Sequence, residues 1–307
     1  MVRETELRPS DFIAPYFVLP GENQRVDIRS LPGHARMTID HILRDIESLH
    51  AQGVPGILLF PVVPDRLKDN AGTEGFNPDG ILPTAIRRLK DEIPSLCVIA
   101  DVALDPFSSF GHDGVVDESG KILNDETVHA LAEISLIYAQ AGADFIAPSD
   151  MMDGRIGAIR QLLDTHALTD VGIISYCAKY ASSFYAPFRE ALDSAPRFGD
   201  KYTYQLDWPN SREALIEALL DQEEGADILM VKPALPYLDI LVKLRESTHL
   251  PLCAYHVSGE YAAVMAAHSL GYLDGPKALH ESHMAIKRAG ADFIFSYAIH
   301  QLLDRLD

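Results

Sequence analysis

Short apolar runs alternate along the chain with longer segments of helical period. The runs lie at about Pro15–Leu19, Gly56–Val62, Cys97–Val102, Asp144–Pro148, Gly172–Ser175, Ile228–Lys232, Leu252–Tyr255 and Phe293–Tyr297. Each is apolar at successive positions and rich in Ile, Val, Leu and Phe, which is how strands buried on both faces read. Helices are expected between most of them, for example over Thr38–Gln52, Thr127–Gln140, Gly154–Thr165, Ser211–Glu223, Tyr237–Ser247 and Pro276–Arg288. One junction recurs: helix end, Gly, acidic residue, strand. It reads AQAGADFIAPS at 139–149, EEGADILMVKP at 223–233 and RAGADFIFSY at 288–297, with a looser copy, AQGVPGILLFPV, at 51–62. In each the Gly can close a helix in the left-handed region. About eight alternating strand and helix units predict an α/β fold, a (β/α)8 TIM barrel, as a single domain over 1–307. A doubly wound sheet would favour a glycine-rich phosphate loop after the first strand, and PGENQ is not one.

Chemistry in such a barrel gathers at the C-terminal strand ends. The residues there are Phe60-Pro61, Asp101, Asp105, Ser149-Asp150, Tyr176, Lys179, Lys232, Ser258 and Tyr297. Lys232 ends an otherwise apolar strand, and a lysine is rarely buried without a partner or a purpose. Lys179 falls on the adjacent strand end. Two neighbouring amines against an apolar wall lower each other's pKa, which suits a nucleophile that forms Schiff bases with carbonyls. Rim lysines paired with nearby carboxylates are an equally good reading of the spacing alone. Tyr185 and Phe188 can wall a small pocket, and Arg189 and Lys201, on what reads as a loop, can hold a carboxylate.

The chain has 307 residues with 26 Lys and Arg against 45 Asp and Glu, so its formal charge is 26 − 45 = −19. That balance argues against nucleic acid and against an anionic membrane surface. The longest apolar runs fall well short of the roughly 20 residues that cross a bilayer. The three cysteines, Cys97, Cys177 and Cys253, form no C-x-x-C pair. With no signal-peptide pattern at the start, they lead to the expectation of a reducing cytoplasm.

The motifs DVALDPFSSFGHDG (101–114), APSDMMDGRIGAIR (147–160), YCAKYASSFYAPFR (176–189), TYQLDWPNSREAL (203–215), MVKPALPYLD (230–239), YHVSGEY (255–261) and KRAGADFIFSY (287–297) resemble the porphobilinogen synthase, or 5-aminolevulinate dehydratase, family. They span most of the chain in one order. The resemblance implies a barrel enzyme that condenses two molecules of 5-aminolevulinate to porphobilinogen with loss of two waters, in tetrapyrrole (heme) biosynthesis. The family's two imine-forming lysines fall on Lys232 and Lys179. Ser258 and Tyr297 match the residues that hold one substrate carboxylate, and Arg189 and Lys201 match those that hold the other. Tyr185, Phe188 and Ser149 match further pocket positions.

Where the zinc-using branch carries three cysteines this chain has Ala103, Asp105 and Asp113, so no thiolate zinc site is expected there. Asp105 and Asp113 match the aspartate-rich branch and would serve protons, waters or a metal. That branch responds to Mg2+ at an allosteric site, whose glutamate falls on Glu217. The family commonly has His where this chain has Phe110, so the polar network of that loop should differ. Only a short arm, residues 1–12, precedes the first expected strand. The resemblance implies a homo-oligomer, a dimer, hexamer or octamer, and the short arm favours the smaller assemblies over the arm-locked octamer. Other Schiff-base barrel enzymes, such as an aldolase, or a non-catalytic paralogue are the competing readings. An aldolase for phosphorylated sugars would need a phosphate nest near the last two strands, where HVSGEY offers one Gly.

Overall fold

A computed structural model describes residues 2–306. Eight parallel strands close on themselves: β1 (Phe12–Leu19), β4 (Gly56–Pro61), β5 (Cys97–Val102), β6 (Phe145–Pro148), β7 (Gly172–Lys179), β8 (Ile228–Lys232), β9 (Leu252–His256) and β10 (Phe293–Ser296). Each pairs with its neighbour, and β1 with β10 completes the ring. Helices wrap the outside with one apolar stripe inward. Helix Ile39–Ala51, for example, buries Ile39, Ile42, Ile46 and Leu49, a 3.6-residue pattern. The (β/α)8 expectation holds.

The recurring Gly–Ala–Asp junction has a common role. Gly142, Gly225 and Gly290 all take positive φ, from 105° to 117°, where a side chain would be strained. The aspartate that follows accepts a hydrogen bond from the first or second N–H of the preceding barrel strand. Val98 donates to Asp144 (2.7 Å), Ile173 to Asp227 (2.8 Å) and Leu252 to Asp292 (2.7 Å). Each aspartate N–H also donates to the carbonyl of the same partner residue, at 2.7 to 3.0 Å. Three carboxylates thus clasp strand starts at the N-terminal face of the barrel.

Three features differ from the sequence-based expectation. A two-stranded antiparallel ribbon, β2 (Arg25–Asp27) and β3 (Ala35–Thr38), follows β1, and β3 adds to the end of β1. Both strands are short, and β2 is wholly exposed, so no apolar run marks them. Strand β7 continues past Ser175 to Lys179 through an irregularity between Ser175 and Ala178. Arg189 lies on a helix, Ala186–Leu192, instead of a loop. Its seven residues are too few to show a period.

Candidate active site

The extension of β7 decides the centre of the site. Lys179 stands directly opposite Lys232 in the β7–β8 register, each the last residue of its strand. Both are buried, at 6% and 4% exposure. Four rings surround the Lys232 Nζ: Tyr255 at 4.4 Å, Tyr176 at 4.9 Å, Phe188 at 5.2 Å and Tyr185 at 5.5 Å to the ring centres. Ring faces favour an ammonium, but burial and then the neighbouring Lys179 charge push the other way. They bring the Lys232 amine down to about 7. Among the described residues it has no hydrogen-bond or ion-pair partner. Lys179 donates to the Ser149 carbonyl. Neither lysine is an ordinary rim lysine in a carboxylate ion pair.

Asp101, at the end of β5, is fully buried near both amines. It accepts from the Ser149 hydroxyl (3.0 Å) and the Tyr176 hydroxyl (3.2 Å). Burial raises its pKa well above the carboxylate range, against the pull of Lys232. Asp105 and Asp113 flank the Lys201 ammonium at 3.5 and 3.0 Å. Burial opposes the charge of all three groups. The ion pairs prevail at Asp113, which stays below the usual range, and at Lys201, which sits above its own. Asp105 is raised, with burial dominant. Lys201 is therefore engaged by two carboxylates. Arg189, half-buried on the same cleft, has no ion pair or side-chain hydrogen bond among the described residues.

The structure brings Lys232, Lys179, Asp105, Asp113, Arg189 and Lys201 around one cleft, with Ser149, Tyr185 and Phe188 in its walls. Ser258 and Tyr297 stand just behind. The Ser258 hydroxyl accepts from Phe188 N–H (3.0 Å) and donates to the Phe184 carbonyl (3.4 Å). Tyr297 accepts from the Tyr255 hydroxyl at 3.1 Å. The Phe184–Leu192 segment covers the cleft. At its C-terminal end Arg36 donates to the Ala191 and Glu190 carbonyls, and Lys68 to that of Asp193. Gly259 permits its close approach, because a Cβ there would lie 2.4 Å from the Phe184 carbonyl oxygen. Under this cover the cleft has about 20 Å³ of free space, enough for about one water.

Sequence reasoning missed Gln205, which is buried on the cleft wall with its side-chain oxygen unpartnered among the described residues. An isolated Gln in a loop carries no chemical signature. Phe110 packs edge-on to Phe198 at 5.5 Å, and His112 takes up polar contacts, at 3.2 Å to the Tyr204 hydroxyl and 3.1 Å to the Phe198 carbonyl.

Glu217 is not on this cleft. It faces a buried guanidinium, Arg155, at 3.5 Å, and burial pushes its carboxyl up to about 7. Among the described residues no three His, Cys, Asp or Glu side chains are arranged to hold a metal ion. Ala103 supplies no ligand, and Asp105 and Asp113 meet a lysine, so this donor set does not suit a thiolate-type zinc centre. No described helix is long and apolar enough to cross a membrane.

The chain matches the sequence profile of the family described as Delta-aminolevulinic acid dehydratase over residues 1–305. It is 55% identical over 296 residues to the chloroplastic enzyme of that name from Physcomitrium patens, covering 96% of this chain and 68% of the relative. It is 50% identical over 306 residues to the one from Chlamydia pneumoniae, covering 100% and 92%. A crystal structure of the Toxoplasma gondii enzyme in complex with its product, porphobilinogen, superposes with a TM-score of 0.97 at 50% identity, covering 99% of this chain and 87% of that one. These relatives correct the cytoplasmic expectation: several plant relatives at 51–55% identity are chloroplastic enzymes, alongside a bacterial one, so cysteine usage does not fix the compartment. The chain belongs to the delta-aminolevulinic acid dehydratase family.

Proposed function

We infer that the chain is a porphobilinogen synthase that condenses two molecules of 5-aminolevulinate through imines on Lys232 and Lys179. The observation that carries the two-imine reading is the pairing of these two buried amines in register, one of them partly neutral near pH 7. A neutral amine attacks the substrate ketone, and loss of one water leaves an imine. Two imines account for the two waters of the overall reaction. An imine makes the adjacent carbon acidic and its own carbon electrophilic, so C–C and C–N bond formation both become accessible. After C–C bond formation, elimination with loss of a proton returns one lysine amine, and attack of the free substrate amine on the remaining imine closes the ring and returns the other. Holding both substrates replaces a bimolecular encounter with a positioned one. Asp101, held beside both amines and raised in pKa, can take and return protons there. In this reading Arg189, which lines the cleft without an ion pair among the described residues, receives one substrate carboxylate. Ser258, once freed from Phe184 and Phe188, and Tyr297 receive the other.

Borohydride reduction in the presence of 5-aminolevulinate should fix substrate to Lys232, as read by peptide mass mapping. The Lys232 amine is lowered to about 7, so it is an ammonium below that pH and cannot attack. The rate of adduct formation should therefore fall about tenfold per pH unit below 7 and level off above it. A wild-type protein that gives no lysine adduct would refute the two-imine reading.

A magnesium ion bound at Glu217 belongs to the same proposal. Mg2+ keeps most of its waters and needs only one or two carboxylates, and Glu217 retains a part-exposed carboxylate. Its helix, Arg212–Glu223, leaves Ile216, Leu219 and Leu220 exposed, a face suited to a second copy in a homo-oligomer. Titration with Mg2+ should raise wild-type activity and light-scattering mass together, and Glu217→Gln should respond to neither. Equal responses from both proteins would remove Glu217 from the metal site.

A further inference from the structure

Glu260 lies behind the reaction cleft, outside every motif role described above. It is 4% exposed and, among the described residues, faces no cation. Its carboxylate instead collects three backbone N–H groups from two separate strand ends. Oε1 accepts from Leu235 (2.7 Å), and Oε2 accepts from Ala234 (3.4 Å) and Val257 (2.6 Å). Ala234 and Leu235 follow Lys232 by two and three residues. Val257 precedes Ser258 and opens helix Ser258–Ser269. The same node reaches the covering segment, because Ser258 bonds Phe188 and Phe184, and the Tyr185 hydroxyl donates to the Lys232 carbonyl at 3.2 Å. A buried carboxylate with no counterion is costly unless it satisfies donors that would otherwise be stranded.

We propose that Glu260 is a positioning residue for the Lys232 half of the reaction: by joining the backbone after Lys232 to the backbone before Ser258, it sets the distance between the imine-forming amine and the group that receives the same substrate's carboxylate. This rests on the two-imine reading above. Lys179 is outside the node. It is oriented by Ser149 on β6, and no Glu260 contact reaches that strand. Loss of Glu260 should therefore act on one lysine and spare the other, which general loosening of the fold would not do.

The test is borohydride trapping with 5-aminolevulinate, with adducts at Lys232 and Lys179 quantified separately, on wild type, Glu260→Gln and Glu260→Ala. Glutamine keeps the shape but offers one acceptor oxygen for two strand ends. The expected result is slower Lys232 adduct formation in Glu260→Gln, on the order of 10²-fold for a displacement near 1 Å, with the Lys179 rate unchanged. Glu260→Ala should be at least as slow at Lys232. A wild-type rate at Lys232 in Glu260→Gln overturns the assignment. So does an equal loss at both lysines, which marks a merely structural residue. A wild type that takes no adduct at Lys232 overturns the imine reading itself, and the assignment with it.

Discussion

Replacing Lys232 with alanine should abolish pyrrole formation from 5-aminolevulinate, by a factor on the order of 10⁴–10⁶, the range seen when a covalent nucleophile is removed. The reason is positional. Lys232 presents an amine, unpaired among the described residues, at the centre of four aromatic rings. Lys179 cannot take its place, because its amine is directed to the Ser149 carbonyl and, in the two-imine reading, carries the other substrate. The fold should survive, since the substitution also removes a group that is expensive to desolvate. Lys232→Arg should be as inactive, because a guanidinium keeps the charge and is no nucleophile at neutral pH. A pyrrole colour assay on folded protein, checked by circular dichroism, reads the result. Activity of Lys232→Ala within tenfold of wild type would sink the assignment of this lysine as nucleophile.

Arg155→Met should be the most destabilising single substitution outside the cleft. Arg155 is fully buried and meets Asp221 at 3.4 Å, Glu217 at 3.5 Å and Asp150 at 3.7 Å. It also donates to the Met152 and Tyr176 carbonyls, so one guanidinium binds the exit of β6 to β7 and to helix Arg212–Glu223. Methionine fills similar space and leaves three carboxyls without their cation. Breaking a buried pair from one side costs about 3–5 kcal/mol, which for a chain of this size lowers the melting temperature by roughly 10 °C. The deficit should shrink in acid. Burial already raises Asp150 to about 6 and Glu217 to about 7. Groups raised in the folded state take up protons there before the unfolded chain does, so the variant regains stability as pH falls through that range. Thermal melts of both proteins from pH 8 to 5 would show the gap closing. A constant or widening gap would contradict this account.

Much of the barrel was legible because its strands are buried on both faces and announce themselves as unbroken apolar runs. The two lysines were legible for the opposite reason, as charges placed at the ends of such runs. What remained hidden depends on partners distant in sequence. The β2–β3 ribbon is polar and short, and it exists by adding to β1. The apolar run ends at Ser175, four residues short of the end of β7, because the Tyr176 hydroxyl finds its partner inside the barrel only in Asp101, 75 positions away. Lys201 read as a free loop cation, and only the folded loop shows it held between Asp105 and Asp113. Glu260 and Gln205 gave no signal, since a single carboxyl or amide is interpretable only once the groups facing it are known.

The three aspartate clasps at the N-terminal face divide the labour of the barrel between its two ends. A five-residue strand is about 17 Å long, so the carboxylates that fasten strand starts and the groups that face substrate sit at opposite ends of the same strands. Variation at one end can then be sampled without disturbing the other. Asp144 and Asp227 directly precede the strands that lead to Ser149 and Lys232, yet their exchange should be read in folding yield and leave substrate preference alone. That separation gives the molecule a face on which substitutions are judged by stability and another on which they are judged by chemistry.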